Sequence, residues 1–123
     1  MKQVLQLMLF SLFMSFIACS PKTSGEATAT SQDKTETIKV SGACGMCKKR
    51  IEMAVYGIAG IKSAQWSAQN QALTVSYNPQ KTNNEGIQKK VVSIGHDTEK
   101  FKAEEKAYKN LPSCCQYREV AAH

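Results

Sequence analysis

Two cysteines with two residues between them, Cys44 and Cys47, sit inside the glycine-flanked stretch Ser41-Gly42-Ala43-Cys44-Gly45-Met46-Cys47-Lys48-Lys49-Arg50. A thiol pair at this spacing either clamps a soft metal ion or cycles between dithiol and disulfide. The stretch follows a strand-like run and opens an amphipathic helical pattern, so both thiols fall where backbone N–H groups lack helical partners and the macrodipole is positive. That position favours thiolate over thiol, and Lys48, Lys49 and Arg50 add positive charge in the next turn. Gly45 lets the loop fold back so that both sulfurs face one point, which suits a d¹⁰ ion with sulfur bonds of about 2.3 Å. No acid-base pair, nucleotide loop or Ser-His-Asp arrangement accompanies the thiols. Asp97, Glu99, Glu104 and Glu105 read as solvated charge, and no enzyme is expected.

The elements that must position this loop follow from periodicity. Thr35 to Val40 alternates, with Ile38 and Val40 on one side, and reads as a half-buried strand that delivers the chain to the cysteines. Cys47, Ile51, Ala54, Val55 and Ile58 then recur at three and four as one apolar helical face, which Gly57 and Gly60 end. Ala64, Trp66 and Ala68 alternate with polar residues, as do Leu73, Val75 and Tyr77 after the turn at Gln69-Asn70-Gln71, so these segments predict a hairpin with Trp66 and Tyr77 in the core. Asn83 or Asn84 caps a second helix whose buried stripe is Ile87, Val91 and Ile94, and Gly95 stops it. His96 to Ala103 holds one more short strand, with Phe101 pointing inward. The order βαββαβ with right-handed crossovers predicts an α+β, ferredoxin-like sandwich: a four-stranded antiparallel sheet with both helices on one face. A further helical stretch, Ala103 to Asn110, ends at Leu111-Pro112 ahead of Cys114-Cys115.

The 123 residues leave room for one domain of ordinary size. The chain is therefore divided into a signal segment (1–18), a flexible tether (19–34), the sandwich (35–103) and a helical tail carrying Cys-Cys (104–123). Lys2 precedes a nearly continuous apolar run from Val4 to Ile17, and Ala18 stands directly before Cys19. This resembles the bacterial lipobox, with Phe16 where leucine is usual; the resemblance implies cleavage at Cys19, lipidation of its thiol and an envelope location facing the periplasm, or plain secretion if Cys19 stays unmodified. The apolar run is shorter than the roughly 20 residues a spanning helix needs. Pro21 to Lys34 has no large apolar residue and reads as a tether of about 20 Å root-mean-square span. Net charge is +6, or +5 once Lys2 is removed, and the bases are scattered with few aromatics between them. Nucleic acid is therefore not an expected partner.

Over Thr35 to about Ala103 the chain resembles the heavy-metal-associated domain of copper chaperones, the periplasmic mercury-binding protein and the N-terminal modules of heavy-metal P-type ATPases. The residues that carry the likeness are Gly42-Ala43-Cys44-Gly45-Met46-Cys47, the Gly57 to Ile61 stretch and Ser93-Ile94-Gly95-His96-Asp97. The resemblance implies a ferredoxin-like fold that binds Cu(I), mercury, zinc, cadmium or a related soft ion through Cys44 and Cys47. Such a domain would act as an envelope metal chaperone or scavenger whose partner is a transport or efflux protein with an exposed thiolate or thioether. The family's Gly-Met-Thr ahead of the first cysteine is replaced here by Ser41-Gly42-Ala43. Met46 lies between the cysteines instead, where packing against the domain is expected over ligation. His96 falls beside the cysteines if the last strand pairs with the first, and the family places a lysine, tyrosine or histidine in that loop; an imidazole there would make metal release pH-sensitive.

Cys114 and Cys115 lie beyond the family domain. Adjacent cysteines make only strained disulfides with each other, so a distant partner or a metal is expected for them. An eight-residue helix of roughly 12 Å and a few extended residues are long enough to bring the tail back to Cys44 and Cys47, adding a third or fourth thiolate. A free or disulfide-bonded tail is the other expectation for an exported chain. Thiol-disulfide oxidoreduction by Cys44 and Cys47 is the alternative function, although the aromatic and proline residues that usually flank a thioredoxin motif are missing.

Overall fold

The computed structural model describes residues 32–120. The signal segment, the lipidation expected at Cys19 and most of the tether lie outside the described residues. Among the described residues no helix is long and apolar enough to cross a membrane.

Alternation sets the sheet. Strand β1 (Lys34–Lys39) and strand β2 (Ile61–Ser67) both pair antiparallel with strand β3 (Ala72–Tyr77), giving the order β1-β3-β2. Ile38 and Trp66 flank Leu73, and Ala64 flanks Val75, so the apolar positions of all three strands share one face and are buried. A register shift between Ile61 and Ser63 marks a bulge in β2. Gln71 closes the hairpin at φ 50°.

Helix α1 (Gly45–Tyr56) buries Cys47, Ile51 and Val55, one turn apart, and helix α2 (Asn84–Ser93) buries Ile87, Gln88 and Val91. The apolar members of both sets join the strand residues in a single core cluster. Asn83 is the N-cap of α2, its side chain accepting from the Gly86 N–H at 2.8 Å. Ile94, expected in the buried stripe, is half-buried, because the helix ends at Ser93 and the chain turns at Gly95 with φ 100°. A Cβ on Gly95 would stand 2.7 Å from the Ala107 carbonyl oxygen, so close packing of the tail also requires glycine there.

The expected fourth strand is reduced to one bridge, Val40 to Thr98, at the free edge of β1. The reason is a competing turn. Thr98 N–H donates to the Phe101 carbonyl at 2.8 Å, Phe101 N–H donates to Thr98 Oγ1 at 3.2 Å, and Lys100 N–H is taken by Gln88 Oε1 at 3.2 Å. Beside the bridge, Ser41 N–H donates to the Asp97 carbonyl and Glu99 N–H to the Lys39 carbonyl, so Phe101 N–H is the next donor that faces β1; the turn uses it, and the sheet is three-stranded among the described residues. Phe101, expected inward, is half-buried on the flank of α2, with Lys89 Nζ 5.8 Å from its ring centroid.

The tail folds back over the sandwich. Helix α3 (Glu105–Lys109) buries Tyr108, and a 3-10 turn (Ser113–Cys115) buries Cys115; with Leu111 these residues belong to the same core as the strands. Arg118 anchors the end of the tail, with its guanidinium 2.8 Å from Asp97 Oδ1 and 3.0 Å from Glu105 Oε2 and lying over the Tyr108 ring at 4.2 Å.

Candidate metal centre

The loop between β1 and α1 is held from three sides. Gly42 N–H donates to Gln71 Oε1 at 2.8 Å, and Gln71 Nε2 donates back to the Ala68 carbonyl at 2.7 Å, so the hairpin turn clamps the loop. Ser41 N–H donates to the Asp97 carbonyl at 2.9 Å. Trp66 underlies the loop, its Nε1–H bonded to the Val40 carbonyl at 2.9 Å. A Cβ on Gly42 would lie 2.7 Å from Trp66 Cζ2, so the loop can approach the indole this closely only with glycine at that position.

Cys44 is the N-cap of α1 and is half-buried, while Cys47, in the first turn, is fully buried. Their Sγ atoms are 4.0 Å apart, and Cys47 Sγ accepts the Ala43 N–H at 3.3 Å. The Cys47 N–H at the helix start holds the Cys44 thiol below its ordinary pKa; burial opposes this, and the Met46 N–H adds to it.

The tail brings a third sulfur. The Sγ atoms of Cys44, Cys47 and Cys115 all lie within 4.8 Å of one another. The connection is reinforced at the surface, where the Cys44 thiol donates to the Cys114 carbonyl at 3.4 Å. Burial pushes the Cys115 thiol far up, and the neighbouring Cys47 and Cys114 thiols push it further, so it is protonated in the metal-free protein. All four described cysteines are free thiols. Three sulfurs at about 2.3 Å around one ion stand about 4.0 Å apart when trigonal, against about 4.6 Å for two in line. The 4.0 Å between Cys44 and Cys47 is thus the trigonal spacing, and the donor set is soft throughout.

Cys114 and Met46 stay outside this trio. Cys114 is exposed and its Sγ is 4.0 Å from that of Cys115. Met46 was expected to pack against the domain; instead it is 51 % exposed, because the first turn of α1 faces solvent at that position, and its Sδ lies 3.6 Å from Cys114 Sγ.

His96 is buried behind the loop and is not a member of the thiol group. Its Nδ1 is 2.8 Å from the Ser41 carbonyl, and because a carbonyl only accepts, Nδ1 carries the proton. Nε2 is buried without a hydrogen-bond partner, and the ring stacks on Tyr117 at 5.4 Å. Burial lowers the His96 pKa and Arg50 lowers it further, against the Ser41 carbonyl. The ring therefore positions the loop as a neutral imidazole. It stands apart from the three thiols, and its stacking on Tyr117 belongs to the packing that orders the tail.

Gln71, Asp97 and Arg118 carry no signal of these roles in the sequence, since each acts on residues 6 to 29 positions away. Burial raises the Asp97 carboxyl, but the Arg118 guanidinium and the Ala103 N–H outweigh it and hold the group below the usual carboxylate range. The acid thus remains charged and keeps its grip on the tail.

Comparison with known proteins bears on the domain that carries the Cys44 and Cys47 loop. The family model of the heavy-metal-associated domain matches residues 37–97. Among solved structures, a CopZ metallochaperone is 29 % identical with a TM-score of 0.52, the match covering 53 % of this chain and 98 % of that one. The water-soluble region of the P-type ATPase CopA from Bacillus subtilis is also 29 % identical at a TM-score of 0.52, with coverage of 55 % and 46 %. A putative copper-ion-binding protein from Bacillus anthracis str. Ames is 20 % identical at a TM-score of 0.54, covering 57 % and 100 %, and shares the fold. No curated protein matches the chain. Over residues 37–97 the chain belongs to the heavy-metal-associated domain family.

Proposed function

We propose that the protein binds one soft metal ion, Cu(I), through the thiolates of Cys44, Cys47 and Cys115, and carries it to a transport or efflux protein that presents a thiolate or thioether. The observation that carries this reading is the convergence of three sulfurs from two distant segments within 4.8 Å. Trigonal thiolate coordination suits Cu(I) and Hg(II), whereas zinc and cadmium require a fourth ligand. Cys44, half-buried at the rim, is the sulfur that an incoming thiolate reaches first, so exchange proceeds through ligand addition and loss at the ion. The buried pair, Cys47 and Cys115, retains the ion between encounters, so the protein works as a holding carrier rather than an enzyme. The likeness of the leader to a lipobox supports work in a bacterial envelope, with the domain tethered to the membrane through lipid on Cys19.

Anaerobic Cu(I) titration against a competing chelator, with X-ray absorption at one equivalent, tests the reading. Three sulfurs around copper are expected in the wild type and two in Cys115→Ser. Affinity falls by roughly 100-fold or more, about 2.7 kcal/mol, in Cys44→Ser or Cys47→Ser. Reduced wild-type protein that takes up no Cu(I), or a dithiol that instead turns over disulfide substrates, would sink it.

A further inference from the structure

We infer that Met46, Cys114 and Cys115 form a second soft-metal subsite at the surface, sharing the Cys115 sulfur with the inner three-thiolate site, so that the loaded chain holds two Cu(I) ions. This rests on the proposed function and extends it to residues outside the family domain. Cys114 Sγ is the centre of the subsite, 3.6 Å from Met46 Sδ and 4.0 Å from Cys115 Sγ. Two sulfur bonds of about 2.3 Å to one ion span these separations at angles of roughly 100° to 120°, within the range of three-coordinate d¹⁰ ions.

The exposure of the parts is in keeping with this. A methionine that is 51 % exposed contributes little to a core, and here its thioether stands 3.6 Å from a thiol. In the metal-free chain the Cys44 thiol donates to the Cys114 carbonyl at 3.4 Å, a contact that brings the outer sulfurs beside the inner ones before copper replaces that proton. Charge balances as well. One Cu(I) with three thiolates carries a net charge of −2; adding a second Cu(I) with the Cys114 thiolate and a neutral thioether leaves it at −2. Each thiol releases its proton to solvent as its Cu–S bond forms, and copper stays Cu(I), so no oxidant or reductant is required. A neutral thioether is the weakest donor of the set, so the outer ion is the first to exchange, ahead of the inner one reached through Cys44.

The test is Cu(I) stoichiometry on the full chain, with X-ray absorption at saturation. The wild type is expected to take two equivalents and to show a short copper-copper vector. The double variant Met46→Leu with Cys114→Ser, changed only at exposed or half-exposed side chains, is expected to take one equivalent, with sulfur coordination and no copper-copper vector. Saturation of the wild type at one equivalent, or two equivalents in the double variant, overturns the outer subsite while leaving the three-thiolate site standing. Absence of any Cu(I) uptake by the wild type overturns both.

Discussion

At the scale of single residues, two of the three sulfurs proposed to share an ion stand in opposite electrostatic surroundings. Cys44 is stabilised as thiolate by N–H groups at the start of α1, whereas Cys115 is buried beside other thiols with nothing to favour its charge. In reduced, metal-free protein at neutral pH, iodoacetamide should therefore modify Cys44 faster than Cys115 by roughly tenfold or more, and Cu(I) should silence Cys44; peptide mass spectrometry reads both outcomes. Equal rates would contradict the assignment. His96 has a second measurable consequence. Its pKa is depressed in the fold, so below about 6.5 the unfolded chain binds a proton that the native chain refuses. Stability is complete above that value and declines as pH falls from 7 toward 5. Denaturant midpoints should follow this slope in the wild type, and His96→Gln should flatten it. Asp97, held low by Arg118, stays ionised through the same window.

At the scale of elements, the site depends on how closely the β1-α1 loop approaches the sheet. Gly42 lies against the Trp66 indole, and Gln71 in the hairpin turn supplies the acceptor for the Gly42 N–H. Gly42→Ala must push the loop away from a fully packed ring and should cost about 1–3 kcal/mol, read as a lower urea midpoint with weakened Cu(I) affinity. Gln71→Ala leaves one loop N–H without its partner and should cost about 1 kcal/mol, with the number of coordinating sulfurs unchanged. A Gly42→Ala protein of wild-type stability would show that the loop has room to move.

At the scale of the whole molecule, a tail beyond the family domain brings a third sulfur to the loop. Arg118 holds it by a fork onto Asp97, with Nη2 2.8 Å from Oδ1 and Nε 3.2 Å from Oδ2. The Tyr117 hydroxyl adds to this by donating to the Gly95 carbonyl at 3.0 Å and accepting the Asp97 N–H at 2.8 Å. Arg118→Ala removes the fork from a largely covered carboxylate and should cost roughly 1–3 kcal/mol. The tail then detaches more often, so copper at one equivalent should lose its third sulfur in part of the population and pass faster to an external thiol. X-ray absorption and stopped-flow transfer measure the two effects; unchanged coordination would show that the tail is held mainly by Tyr108, Leu111 and Cys115 in the core.

The sequence by itself determined what depends on neighbours a few positions away. Period-two alternation marked the three strands, three-and-four spacing marked both long helices, Asn83 or Asn84 marked a cap that the structure assigns to Asn83, and Cys44-x-x-Cys47 marked the strand-helix junction. The tertiary structure decided what depends on distant segments meeting. The last strand was lost to a turn closed by Thr98 and Phe101 and stabilised through Gln88, a contact no local pattern encodes. Met46 is half exposed beside Cys114, and His96 is buried behind the loop against Tyr117, because different parts of the tail reach them. Above all, tail length could bring Cys114 or Cys115 back to the loop, but only side-chain packing of Tyr108, Leu111 and Arg118 chose Cys115 for the inner site and left Cys114 beside Met46. Periodicity is set by backbone geometry within one element, whereas the meeting of sulfurs about 70 positions apart is set by how completely the elements bury one another.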